Sequence, residues 1–214
     1  MPATLSPPRP ASAEAQELER RLREHTQGEV LFDAAARGRY ATDASIYQVM
    51  PLGVFVPRSD DDVATALAIA REQHTPVLAR GGGTSQCGQT TGSGLVVDVS
   101  PHLREVLAFD KDAATVEVQP GLVLDALNVW LKPHGLWFPV DVSTSAQATL
   151  GGMAGNNSCG SRSIAYGNMV HNVLGAQAWL SDGRLLNFGP TGRFGRNRVK
   201  HCRLRARPGR AAAR

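Results

Sequence analysis

The sequence is poor in the features that most often announce a function. It holds only three cysteines in 214 residues (Cys87, Cys159 and Cys202), with no CxxC pair among them. That excludes a disulfide framework and a cysteine-rich zinc site. Its six histidines show no HExxH spacing, so no metal-ligand pattern is legible. No stretch approaches the ~20 apolar residues of a transmembrane helix. The residues after Met1 lack the apolar h-region of a secretory leader. The expectation is therefore a cytoplasmic protein, at most peripheral at the inner membrane. Acid is missing from residues 191–214, which carry eight Arg and one Lys. The formal net charge of +4 belongs to that tail, because residues 1–190 keep 14 basic side chains against all 19 acidic ones, a net of −5. A nucleic-acid-binding reading would have to rest on the tail alone.

A hydrophobic content of 42% is enough for a real core. Residues 1–12 are rich in Pro, Ala and Ser and read as a disordered lead. Residues 13–27 read as a polar helix with Leu18 and Leu22 at i, i+4 spacing. Ser59 and Asp62 form a capping-box signature ahead of a helix whose Val63, Leu67 and Ala70 share a face with Ala66 and Ile69 beside them. TPVLAR (75–80), GLVVDVS (94–100), REVLAFD (104–110) and ATVEVQP (114–120) read as strands, the last two as a hairpin. LVLDALNVWLK (122–132) is helical, striped by Val123, Leu127, Trp130 and Leu131 and stopped by Pro133. NVLGAQAWL and RLLNFG flank Ser181-Asp182-Gly183, a hairpin turn. The sum is an α+β domain with no internal repeat.

Two glycine-rich stretches carry the chemistry. The first is ARGGGTSQCGQ (79–89), placed directly behind an apolar strand. Glycines there let backbone N–H groups converge on phosphate without a side chain in the way. It is not a GxxxxGK[ST] loop, because no lysine follows, nor GxGxxG, because Gln86 stands at the third position. The second stretch, DVSTSAQATLGGMAGNNSCGS (141–161), is almost uncharged. It combines Gly151, Gly152, Gly155 and Gly160 with hydroxyl and amide donors. Two such segments about 60 residues apart read as two walls around one extended polar ligand.

The ordered motifs RGGGTS, VQPG (118–121), D-x-S-T…ATLGGMAGNNSCG, YGNMVHNVLG and LSDG resemble the FAD-binding domain of the vanillyl-alcohol oxidase/PCMH flavoprotein superfamily. Within it the chain is most similar to FAD-linked D-2-hydroxy-acid dehydrogenases of the lactate, glycolate and 2-hydroxyglutarate group. The resemblance covers roughly residues 40–190. It implies two α/β subdomains, preceded by a lead and helix (1–39) and followed by a basic, non-native or disordered tail (191–214). It also implies that the backbone of Gly81, Gly82 and Gly83, with Thr84 and Ser85, cradles the FAD pyrophosphate. Asp141, Ser143 and Thr144 would pass the flavin and its phosphates. Thr149, Gly151, Gly152, Asn156, Ser158 and Gly160 would contact the ribityl chain and ring, and Tyr166, Gly167 and Val173 would close the adenine side. Some members bind flavin covalently through a histidine where Thr84 stands, so non-covalent FAD is implied here. Arg80 is read either as an aid to the phosphates or as one half of an ion pair.

Cys159 reads as a small packing residue near the flavin, Cys87 as a loop-lining thiol, His171 as a satisfied structural histidine, and Trp130, Trp137 and Phe138 as core. In the family a cap domain supplies the substrate pocket, the general base and any metal ligands, and an iron–sulfur centre or quinone takes the electrons. None of these is identified in the sequence, so the catalytic group stays unassigned and the chain alone is expected to be inactive. Two alternatives stand beside the hydroxy-acid reading. One is a reductase of another substrate on the same fold; the other is a non-catalytic module with a nucleic-acid-contacting or membrane-contacting tail.

Overall fold

Capping and strand burial dictate the first half of the chain. The computed structural model describes residues 12–189 and 202–208. Helix α1 (Ala13–His25) opens on Ser12, whose side chain accepts the N–H of Ala15. Then come β1 (Glu29–Leu31), α2 (Ala34–Tyr40), β2 (Gly53–Val56), α3 (Asp60–Glu72), β3 (Val77–Arg80) and β4 (Leu95–Asp98). They form a four-stranded sheet in the order β1-β2-β4-β3, with β2, β4 and β3 parallel and β1 antiparallel at the edge. Strands β2 and β4 are apolar at nearly every position because both faces of the sheet are covered. Phe55, Leu95 and Val97 pack with Leu18 and Leu22 of α1 and with Ala66 and Ile69 of α3. Val54, Val56 and Val96 form a second cluster with Leu31, Tyr40 and Leu78. No break falls at residue 40, since β1 is already a strand of this sheet and α1 shares its core.

Ser59 caps α3 as its signature requires, accepting the N–H of Asp62 at 3.1 Å. The Asp62 carboxylate is used differently from a reciprocal capping box. It accepts from Gln27 N–H (2.8 Å) and Arg58 N–H (2.9 Å), tying the α1–β1 connection to α3.

The second half is built on an antiparallel sheet. Its elements are β5 (Val106–Asp110), β6 (Thr115–Val118), α4 (Leu124–Leu131), a 3-10 turn (Lys132–His134), β7 (Leu136–Trp137), α5 (Leu150–Gly155), α6 (Ser163–Tyr166), α7 (Met169–Asn172), β8 (Val173–Trp179), β9 (Leu185–Phe188), β10 (Cys202–Arg205) and β11 (Arg207–Pro208). Both expected hairpins, β5–β6 and β8–β9, are present. The five-stranded order is β5-β6-β10-β8-β9, and a small β7–β11 pair flanks it. Val116, Val118, Leu127, Leu131, Phe138, Leu150, Met153 and Leu204 fill the core between sheet and helices. Trp130 departs from the core reading. It is 37% exposed and packs edge-on against Phe109 at the surface.

The largest departure is in the basic tail. Residues 190–201 and 209–214 lie outside the described residues, as does the lead 1–11. Residues 202–208, however, are ordered strand, and β10 is the central strand of the second sheet, antiparallel to both β6 and β8. The expectation of a tail without structure or periodicity is therefore corrected for this stretch. Cys202, Leu204 and Ala206 alternate with arginines and are all buried, the period-two pattern of a half-buried strand. Arginine density hid a pattern that was present. Burial also pushes the Cys202 thiol up to about 11, which leaves it an inert core group. Leu204 is fully buried, so Leu204→Ala should lower the unfolding free energy by about 2–5 kcal/mol. Urea denaturation followed by far-UV circular dichroism measures this; a loss below 1 kcal/mol would contradict the placement of β10.

Candidate functional site

The first glycine stretch leaves the end of β3 and runs against the second. At Gly81 an added Cβ would sit 2.0 Å from Thr149 Oγ1, and at Gly82 it would sit 2.1 Å from the carbonyl oxygen of Gln147. Gly83 turns the chain with φ +64°. The glycines are thus required by the close approach of the two walls. Among the described residues, the backbone N–H groups of Gly82, Gly83, Thr84 and Ser85 donate to no acceptor within the chain. Four successive free amides beside a left-handed turn form a nest suited to an anion. A cavity of about 460 Å³ opens beside them, lined in part by Arg39, Tyr40, Gly81, Gly82, Asp98 and Ser100.

Arg80 is engaged inside the protein. Its guanidinium donates to the carbonyls of Thr42 (2.9 Å), Tyr40 (3.3 Å) and Thr90 (3.4 Å) and lies 5.1 Å over the Tyr40 ring. Among the described residues no carboxylate pairs with it, and Arg80 also lines the cavity beside Gly81 and Gly82. It holds the loop to the segment after α2. Tyr40 in turn donates to Asp98 Oδ2 at 2.8 Å, and burial, reinforced by that carboxylate, raises its pKa well above the usual phenol value.

The second wall is locked to the VQPG segment. Leu124 N–H donates to Ala148, Leu150 N–H to Leu122 and Gly151 N–H to Pro120, at 3.0, 2.8 and 2.8 Å. Thr149 caps α5, accepting from Gly152 N–H at 3.4 Å. The Thr144 carbonyl accepts from both Gln147 and Ala148, which folds residues 144–148 into a turn. The hydroxyls of Ser143, Thr144 and Ser158 have no partner among the described residues. Asn156 Oδ1 accepts from Gln89 Nε2 at 3.1 Å, a direct bond between the two walls. Ser85 hydrogen-bonds Gln89 on the first wall.

Asp141 organises the far end of this wall. It accepts from Ser161 Oγ (2.8 Å) and Arg162 N–H (3.0 Å), and the Gly160 backbone lies so close that a Cβ would meet the Asp141 carbonyl oxygen at 1.7 Å. Partial burial opposes ionisation, but the bonds from Ser161 and Arg162 outweigh it and hold the carboxyl below the ordinary carboxylate range. Arg162 also lies over Trp137, whose ring meets Tyr166 edge-on at 5.3 Å. Asp141, Trp137 and Arg162 border a smaller cavity of about 230 Å³ with Asp125, Asn128 and Ser145.

The last group of expected site residues makes its contacts elsewhere. Tyr166 packs edge-on against Trp137, Gly167 turns at φ +79° beside His171, and Val173 begins β8 opposite Leu204. His171 Nδ1 accepts from Asn168 N–H at 3.1 Å, as a structural histidine does. Cys87 and Cys159 are exposed free thiols. Among the described residues no group of His, Cys, Asp and Glu could hold a metal, and no helix is long and apolar enough to cross a membrane. Sequence reasoning missed Tyr40, Asp43, Asp98 and Arg162, whose roles depend on partners 21 to 58 residues away. Only the Asp43-x-Ser45 spacing offered a local signal, because Asp43 Oδ1 accepts from Ser45 N–H.

The family model for the FAD binding domain matches residues 51–189. The chain belongs to that family. Free amides on one wall and free hydroxyls on the other fit this dinucleotide, and FAD is the cofactor of the domain. D-2-hydroxyglutarate dehydrogenase of Pantoea ananatis is 40% identical over 166 residues, 76% of this chain and 16% of that protein. Its Pseudomonas putida counterpart is 38% identical over 193 residues, 89% of this chain and 19% of that protein. Glycolate oxidase subunit GlcD of Bacillus subtilis is 36% identical over 164 residues, 74% of this chain and 34% of that protein. The chain thus spans between 16% and 34% of the length of these relatives. A solved alkyldihydroxyacetonephosphate synthase superposes with a TM-score of 0.77 at 17% identity, over 95% of this chain and 42% of that one. That likeness concerns the fold, the two-subdomain PCMH type.

The lowered pKa of Asp141 has a signed consequence for this FAD-binding domain. A folded-state value below the unfolded one stabilises the fold above the ordinary carboxylate value, about pH 4. That contribution is lost as the pH falls through the folded value. Asp141→Asn should therefore lower the urea midpoint at neutral pH, with the difference from wild type closing toward about pH 2. A difference that stays constant across the acid range would exclude an ionised Asp141 as the anchor.

Proposed function

We propose that the chain is the FAD-binding part of a flavin-dependent oxidoreductase that converts a D-2-hydroxy acid of the 2-hydroxyglutarate, glycolate or lactate type to the 2-oxo acid. The observation that carries the proposal is the run of free amides at 82–85, set against the hydroxyl-rich wall at 143–158. The shared sequence with D-2-hydroxyglutarate dehydrogenases and glycolate oxidase supports the substrate class. Bound FAD supplies a hydride acceptor for the α-carbon of the hydroxy acid.

The chain's own part is binding and orientation. The amides of Gly82, Gly83, Thr84 and Ser85 donate to pyrophosphate oxygens, with the Thr84 and Ser85 hydroxyls beside them. Ser143, Thr144, Asn156 and Ser158 offer hydrogen bonds to the ribityl chain and ring edge. Thr149, Gly151, Gly152 and Gly160 allow the backbone to approach closely, and Tyr166, Gly167 and Val173 shape the outer end through Trp137 and β10. Arg80 acts behind the loop by fixing it to residues 40–42. The substrate pocket, general base and electron acceptor, an iron–sulfur centre or quinone, belong to other parts of the enzyme. A cytoplasmic or peripheral location is part of the same reading.

Titration of the chain with FAD, read by quenching of flavin emission, tests the proposal. Saturable binding is expected. Gly82→Asp, which drives a side chain into the Gln147 carbonyl and a negative charge toward the phosphates, should weaken it about tenfold or more. A chain that leaves the flavin spectrum unchanged would overturn the assignment. Thr84 lacks the imidazole needed for a covalent bond, so acid precipitation of the FAD-loaded protein should leave the yellow cofactor in the supernatant. Colour retained in the pellet would refute non-covalent binding.

A further inference from the structure

The segment between α2 and β2 is fastened to the glycine loop, yet it leaves apolar side chains in solvent. Asp43 accepts from Ser45 N–H on Oδ1 and from the Thr90 hydroxyl on Oδ2, each at 2.9 Å. Ala44 N–H donates to the Gly83 carbonyl at 3.1 Å. Arg80 reaches back to the carbonyls of Tyr40 and Thr42. Partial burial opposes the Asp43 charge, but the bonds from Ser45 and Thr90 prevail and hold its carboxyl below the usual range. The turn continues as Ser45 Oγ accepts from Tyr47 N–H at 3.1 Å.

This bracing lays the Tyr47 ring against the glycine loop. At Gly88 an added Cβ would meet Tyr47 Cδ2 at 2.6 Å. The rest of the side chain is open: Tyr47 is 54% exposed and its neighbour Ile46 is 93% exposed. A single exposed apolar side chain needs no explanation. A tyrosine ring held against Gly88 places an exposed aromatic surface on the same loop whose amides are free.

We propose that Tyr47 is a cofactor-contacting residue whose open surface stacks on a planar ring of FAD, with Asp43 as the positioning residue that holds the segment on the glycine loop. The inference rests on the FAD reading above. Both rings of the dinucleotide, isoalloxazine and adenine, offer the same flat π-surface, and offset or edge-on aromatic pairs contribute measurably beyond area burial.

The test titrates FAD into the chain and into Tyr47→Ala, Tyr47→Leu and Tyr47→Phe, reading affinity and flavin emission together, with FMN and ADP as competitors. Tyr47→Ala and Tyr47→Leu should weaken FAD about three- to tenfold, whereas Tyr47→Phe should bind like wild type. Raised emission of the bound flavin with weakened FMN competition assigns the contact to isoalloxazine. Unchanged emission with weakened ADP competition assigns it to adenine. Asp43→Asn should weaken FAD in the same direction, and adding Tyr47→Ala to it should cost less than Tyr47→Ala does alone. Tyr47→Leu keeps apolar bulk against Gly88, so it reads the aromatic surface even if the alanine variant folds poorly. Wild-type affinity and emission in Tyr47→Leu would overturn the inference and leave the FAD assignment standing. A wild-type chain that binds no FAD would overturn both.

Discussion

Gly82 and the carbonyl of Gln147 stand so close that no side chain fits between them, and the site depends on that contact. It is one of the places where the first half of the chain touches the antiparallel half. The loop after β3 arrives from one core and the 147–151 segment from another. Because residues 148–151 are bonded to residues 120–124, the contact is rigid on one side. Arg80 and Asp43 make it rigid on the other, by fixing the loop to residues 40–45. A cleft lined by free amides then follows from backbone geometry and needs no long flexible side chain.

In the proposed site, such amides would let a mildly acidic body hold a dianionic pyrophosphate. Backbone N–H groups carry a fixed partial positive charge and pay no side-chain entropy when a ligand arrives. The cation nearest the loop, Arg80, is satisfied by carbonyls, so it stiffens the nest from behind. The ionised carboxylates at Asp43 and Asp141 play the matching part, each gathering donors from neighbouring turns. Charge in this domain chiefly organises loops, and the loops organise the amides.

A strand near the chain end controls much of the second wall. Strand β10 lies between β6 and β8 and buries Cys202 and Leu204 in the same core as Leu150 and Met153 of α5. Just beyond it, Pro208 accepts from Trp137 Nε1 at 3.2 Å. Trp137 carries Arg162 and Tyr166. A stretch that reads as a run of arginines is therefore coupled, through packing, to the helix and turn of the second wall.

Local signals made much of the protein legible from its residues. Ser59 declared the start of α3, two pairs of β-rich runs declared two hairpins, and the glycine stretches declared two walls and their ligand. These are short-range facts: a cap, a turn or a period-two strand is encoded within a few neighbouring positions. Only the tertiary structure decided that Cys202–Arg205 is a central strand, that Arg80 serves carbonyls and that Asp62 ties the α1–β1 connection to α3. It also decided that the first glycines are squeezed by Thr149 and Gln147. Each of those outcomes depends on a partner brought close by folding from a distant part of the chain, and no local pattern specifies which partner that will be.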